Sequence, residues 1–202
     1  MESNNSEYSN EQNKEYKNIE KSEKNVQNLN LSNFIPITFF CTLDTHKFTK
    51  DKTKPIEKDV FLDKLIKISD VSNINEFWDV FQHLRKPSLC ETGSDYHIFK
   101  KGIYPMWEDN ANENGGKLSI LLTHKYSNII WEEVAFMFSK GLLPYYKNIN
   151  GVVLSVRPKY TVLSFWIKCE DFSTVENIRN ELTIILQAPS PNCFDYIPFK
   201  RI

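Results

Sequence analysis

The chain has 202 residues, 41% of them hydrophobic, enough for one domain with a proper core and hardly enough for two. Its 25 basic and 26 acidic residues leave a formal net charge of -1; this excludes a protein that coats bulk nucleic acid, because each neutralised phosphate calls for a cation. Any nucleic-acid role is therefore local, reading one end or one base. Cys41, Cys90, Cys169 and Cys193 form neither a CxxC pair nor a Cys/His metal spacing, and His46, His83, His97 and His124 are as scattered. No metal or cofactor is expected, and the thiols are read as reduced, in a cytoplasmic setting. No apolar run is long enough to predict a membrane span, and the N-terminus has no apolar signal core.

Residues 1–30 are rich in Asn, Glu, Ser and Lys. They cannot bury enough apolar surface to offset their ordering entropy, so they are expected to be a disordered arm, with a helix over 10–26 conceivable only in a crystal. Residues 31–202 are expected to form the single domain. Phe34 to Leu43 (FIPITFFCTL) reads as a strand, and residues 46–59 as a Lys- and Asp-rich loop. Val60 to Ser69 begins irregularly and then alternates, a loop feeding a half-buried strand. Asn73 or Asn75 caps a helix through Leu84, on which Ile74, Phe77, Trp78, Phe81 and Leu84 recur at helical spacing. That stripe is too wide for so short a helix, and Trp78 is the residue expected to be left outside.

Asp95 to Lys100 predicts a short strand, and Lys117 to His124 a strand apolar enough for a central place in a sheet. Ser127 is read as the cap of a second helix over 128–140, ended by Gly141. Two strands, 151–156 and 162–168, flank the turn Arg157-Pro158-Lys159-Tyr160-Thr161. Ser173 is read as the cap of a third helix to about Gln187, stopped by Pro189 and Pro191, and Phe194 to Phe199 is a last strand. Hairpins outnumber helical crossovers. The fold class is α+β, an antiparallel sheet with three helices on one face and the other partly open to a ligand.

Catalytic motifs are missing: there is no GxSxG, Walker loop, GxGxxG after a strand, or HExxH. Glu108 and Asp109 are adjacent and point apart, which suits one ligand contact and one loop-capping aspartate better than an acid/base pair. A binding reading needs fewer parts. In GIYPMWEDNANENGG, residues 102–116, an indole stands beside a carboxylate in a loop closed by Asn112, Asn114 and the Gly115-Gly116 pair. Bases at RNA ends are read by stacking and by hydrogen bonds to their edges. Trp107 supplies one face, Phe61 the other, and Glu108 accepts from a guanine edge. Arg157 and Lys159 alternate on the hairpin, where they can meet phosphates.

Three blocks, INEFWDVFQHL at 74–84, DYHIFKKGIYPMWEDNANENGGK at 95–117, and GVVLSVRPK at 151–159 with SFW at 164–166, closely resemble the translation initiation factor 4E family. Its members bind the 7-methylguanosine cap of mRNA. The wording EDNANENGG and Phe61, in place of a first stacking Trp, resemble the 4E homologous protein class. The resemblance implies a curved sheet with helices on its convex face and a slot on its concave side. It implies that Phe61 and Trp107 sandwich the base, Glu108 accepts from N1–H and N2–H, and the Trp107 backbone N–H meets O6. Trp166 would pack on the methyl group, and Arg157, Lys159 and Lys117 would face the phosphates. Ile74, Trp78 and Glu133 would receive a short helix of a 4G-like scaffold or 4E-binding repressor.

The implied protein is a non-enzymatic, monomeric, cytoplasmic factor in translation initiation or its regulation. The alternative is a divergent interaction module or repressor with weak or no cap binding. Phe61 is a poorer π-donor than Trp, which weakens stacking by ~1 kcal/mol. Val162 stands where founding members carry a phosphate-facing Lys, and the chain stops at Ile202, without the C-terminal loop that often closes over the phosphates. Leu29-Asn30-Leu31 replaces His-Pro-Leu, and Glu132 follows Trp131 where a Leu is usual.

Overall fold

A computed structural model describes residues 33–43, 61–168 and 171–199, which fall almost wholly in one compact unit, 34–202. The N-terminal arm and the 46–59 loop lie outside the described residues. The described elements are β1 (Ile37–Thr42), β2 (Ile66–Val71), α1 (Ile74–Phe81), β3 (Asp95–Lys100), β4 (Gly116–Leu122), α2 (His124–Ser139), β5 (Ile149–Val156), β6 (Thr161–Ile167), α3 (Phe172–Ile185) and β7 (Phe194–Pro198). The seven strands form one curved sheet in the order β2-β1-β3-β5-β6-β4-β7, with antiparallel neighbours throughout.

Strand alternation separates the faces. Phe39, Ile98, Val152, Phe165 and Leu118 oppose one another across β1, β3, β5, β6 and β4. All are buried, in a core completed by Phe77 of α1, Trp131, Val134 and Phe138 of α2, and Ile178 and Leu182 of α3. Burying this much aliphatic and aromatic surface is the main stabilising term. The three helices thus cover one face, and the α+β expectation holds.

Several local expectations are corrected. β4 is next to the β7 edge, not central; its apolar residues Leu118, Ile120 and Leu122 are buried in the core under the helices. α2 starts at His124, because Thr123, extended at φ -70 and ψ 144, already turns the chain as N-cap. The Ser127 hydroxyl is spent on the His124 carbonyl, 2.8 Å away, within the first turn. α3 is capped by Asp171, not Ser173: its Oδ2 accepts from the Thr174 N–H at 2.8 Å and from the Ser173 hydroxyl at 2.7 Å. A carboxylate also suits the positive helix N-terminus. On α1 the expected Asn73 cap is present, its Oδ1 accepting from Glu76 N–H at 3.0 Å, while Glu76 reaches back to Ser72 N–H at 2.7 Å. Phe61 lies in a short helical turn, its carbonyl accepting from Lys64 and Leu65 N–H groups, rather than in an irregular loop.

Candidate functional site

The uncovered face is built from the alternate residues of the same strands. Thr38, Phe99, Gly151, Trp166 and Lys117 form one row across β1, β3, β5, β6 and β4. Phe40, His97, Val153, Ser164 and Ser119 form the next, and Thr42, Asp95 and Ser155 a third. Directly opposed residues share a face, so these side chains make a floor. Gly151 is required there, because a Cβ would come within 2.4 Å of the Phe99 ring. Its absence lets Phe99 meet Trp166 nearly perpendicularly, centroids 5.2 Å apart. Phe199 holds Trp166 from another side at 4.4 Å.

On this floor lies a cavity of about 320 Å³, walled by Phe61, Met106, Trp107 and Glu108 and reaching Trp166, Lys117 and Arg157. The wall loop is fixed by its own polar side chains. Asp109 Oδ2 accepts from Tyr104 N–H at 3.0 Å, and Oδ1 from Ala111 N–H at 2.9 Å. Asn112, 1% exposed, donates through Nδ2 to the Tyr104 and Met106 carbonyls, both at 2.9 Å. Its Oδ1 accepts from Asn150 Nδ2 at 3.0 Å, and that amide also donates to the Ala111 carbonyl at 2.7 Å. Gly115 closes the loop where a Cβ would sit 2.0 Å from the Ile167 carbonyl oxygen. Held between these anchors, the Trp107 ring stays 50% exposed at the lip, with Glu108 half-buried beside it. Asp109 is thus a loop anchor, as its neighbour's role suggested.

The far end is cationic. Arg157 Nη1 donates to Asp95 Oδ1 at 2.7 Å and to the Val156 carbonyl at 3.0 Å. Burial, and then the Arg157 charge, push the Lys117 ammonium below its ordinary range. Arg157 and Lys117 disfavour one another's charge at this end, a repulsion that an entering anion relieves. Six sequence-predicted residues, Phe61, Trp107, Glu108, Trp166, Arg157 and Lys117, line this one slot. Lys159 is exposed in the β5–β6 turn and is not among the lining residues.

Sequence reasoning missed Asp95, His97 and Asn150. Residues 95 and 97 alternate on a short strand, so period-2 spacing alone puts them on one face; Asn150 carried no such signal. His97, 5% exposed, meets the Phe61 ring edge-on at 6.3 Å. Burial, and secondarily Arg157, push its pKa down to about 4, against the opposing pull of Asp95. Because the ordinary value is 6.5, the unfolded chain takes up a proton between those limits that the native state refuses. Stability is therefore fully present above pH 6.5 and falls as pH drops toward 4, by up to ~3 kcal/mol. Urea midpoints across this window are expected to decline less for His97→Phe than for wild type; parallel declines would contradict the assignment.

On the helical face Trp78 is 37% exposed, stacked on Phe136 at 6.0 Å. It borders a groove of about 390 Å³ with Phe81, Leu84, Arg85, Ile129 and Glu132, and another of about 340 Å³ that includes Glu133. Ile74 is half-buried and packs on the core instead of lining either groove.

The family model described as eukaryotic initiation factor 4E matches residues 38–201. The wheat (Triticum aestivum) eukaryotic translation initiation factor NCBP is 34% identical over 137 residues, covering 67% of this chain and 59% of the wheat protein. This chain thus spans under two thirds of that relative's length. Caenorhabditis elegans eIF4E-3, solved in complex with the 4E-binding protein Mextli, aligns with a TM-score of 0.68 at 22% identity, covering 82% of this chain and 93% of that one. Ascaris suum eIF4E-3, solved with m2,2,7G cap, aligns with a TM-score of 0.67 at 22% identity, covering 84% and 93%. With the family model spanning nearly all of the described sheet and helices, the chain belongs to the eukaryotic initiation factor 4E family.

Proposed function

We propose that this protein binds the 7-methylguanosine cap of mRNA in its concave slot and acts in translation initiation or its regulation. The observation that carries the reading is one cavity that joins two aromatic walls, a carboxylate and a cationic end. N7-methylation makes the base a cation, so stacking between Trp107 and Phe61 gains a cation–π component. Glu108 accepts from the base N1–H and N2–H, the Trp107 backbone N–H meets O6, and Trp166 packs on the methyl group. Arg157 and Lys117 meet the phosphates from within the slot, and Lys159 from its rim. The cap bound by the Ascaris relative and the family membership support this.

The Trp78 face, with Ile74 behind it and Glu133 at its edge, takes a helical segment of a 4G-like scaffold or 4E-binding repressor. The Mextli complex of the C. elegans relative supports that role. The protein works as a non-enzymatic cytoplasmic monomer, residues 31–202 forming the cap-binding domain and residues 1–30 an appended arm. Among the described residues no helix is long and apolar enough to cross a membrane.

Quenching of Trp107 and Trp166 fluorescence by 7-methyl-GTP, set against plain GTP, tests the reading. Strong quenching by the methylated nucleotide is expected, with much weaker binding of GTP. No quenching by either would leave an interaction module that has kept the fold alone. Arg157→Ala should weaken 7-methyl-GTP by about tenfold more than it weakens 7-methylguanosine, since charge-assisted contacts are worth about 1.5–3 kcal/mol. Equal losses would remove Arg157 from the phosphate end.

A further inference from the structure

We infer that His97 is a specificity-determining residue of the slot, its Nδ1 accepting a hydrogen bond from a sugar hydroxyl of the bound nucleotide. The inference rests on the cap-binding reading and adds a contact to it. Thr42 Oγ1 has one proton and two polar neighbours, Asp95 Oδ2 at 3.3 Å and His97 Nε2 at 3.4 Å. Asp95 faces Arg157 as a carboxylate and can only accept, so the Thr42 proton goes to it. His97 must then donate from Nε2 to Thr42, which leaves Nδ1 as a lone-pair acceptor.

That Nδ1 is buried and has no hydrogen-bond partner among the described residues, while the residue lines the slot. Buried acceptors in native proteins are paired, so this one is built for a donor that arrives with the ligand. Position identifies the donor. His97 lies between the Phe61 ring, which it meets edge-on, and Asp95, two residues along the same strand, which anchors Arg157. The base end of the slot is met by Glu108, and phosphates carry no proton to give. What lies between base and phosphates in a nucleotide is the sugar, and its hydroxyls are the donors left.

The test compares 7-methyl-GMP with its 2′,3′-dideoxy analogue by fluorescence titration of the full chain. Wild type is expected to prefer the ribonucleotide by about tenfold, the scale for leaving a buried acceptor unpaired. His97→Phe keeps a ring edge against Phe61 and removes the acceptor. It should erase the preference, so that the variant binds the two analogues equally, while an unaltered near-UV circular dichroism spectrum shows that it is folded. A preference that survives in His97→Phe overturns the inference. So does a wild type that binds both analogues equally, an outcome that leaves cap binding itself standing. A wild type that binds neither overturns the cap-binding reading together with the inference. Should His97→Phe fail to fold, Thr42→Val releases the tautomer instead; the preference should shrink, and an unchanged one overturns the proposal.

Discussion

Glu108→Ala is expected to abolish retention of the protein on a 7-methyl-GDP resin while leaving its fold intact. The carboxylate sits half-buried at the lip, next to the exposed Trp107 ring, so its removal costs no core packing. What it removes are the two charge-assisted hydrogen bonds proposed to the guanine N1–H and N2–H. At about 1.5–3 kcal/mol each they amount to roughly 3–6 kcal/mol, a loss of more than about 100-fold in affinity. Trp107→Ala should act similarly by removing one wall of the stack, whereas Trp78→Ala, on the helical face, should leave retention unchanged. Full retention by Glu108→Ala would sink the cap-binding assignment, and loss of retention in Trp78→Ala would show that the two faces are not independent.

Asn112→Ala should damage both fold and site, though the residue touches no ligand in the proposed complex. Its Nδ2 satisfies the Tyr104 and Met106 carbonyls and its Oδ1 holds Asn150. The Tyr104 carbonyl keeps the Met106 N–H, the Met106 carbonyl keeps the Asp109 N–H at 3.3 Å, and Asn150 keeps the Ala111 carbonyl, so the loss is of three bonds rather than of all partners. A net hydrogen bond is worth about 0.5–1.5 kcal/mol, so a destabilisation of ~3 kcal/mol is expected from the three lost bonds. That is a large share of a stability of ordinary size. A chemical denaturation curve should show the lower midpoint, and cap affinity should fall further than stability alone explains, because the loop presenting Trp107 and Glu108 loses its frame. A shift under about 1 kcal/mol with unaltered binding would show that Asp109 and Gly115 hold the loop without it.

Much of this architecture is visible in one dimension. The β-branched and aromatic run at 34–43 and the alternation at 64–68 mark strands because a pleated surface favours such residues and demands period 2, and the stripe through Phe77 marks α1. Trp107 beside Glu108 needs no distant partner to suggest a ring-and-carboxylate reader. Element ends were less legible. Ser127 and Ser173 look like caps from residue type, yet Thr123 and Asp171 hold those positions, since capping depends on where the preceding strand releases the chain.

Composition and local pattern by themselves were sufficient for the fold class, the open sheet face and Phe61, Trp107, Glu108 and Arg157 of the slot, because each depends on side-chain type and short-range pattern; Trp166 and Lys117 came from the family resemblance. Strand order and register lay beyond composition and pattern: β4 beside the β7 edge, Arg157 held by Asp95 from 62 positions away, Asn150 bonded to Asn112, and His97 buried beside Thr42. Each of those joins residues on different strands, and which strands become neighbours is settled when the whole apolar face closes on its helices.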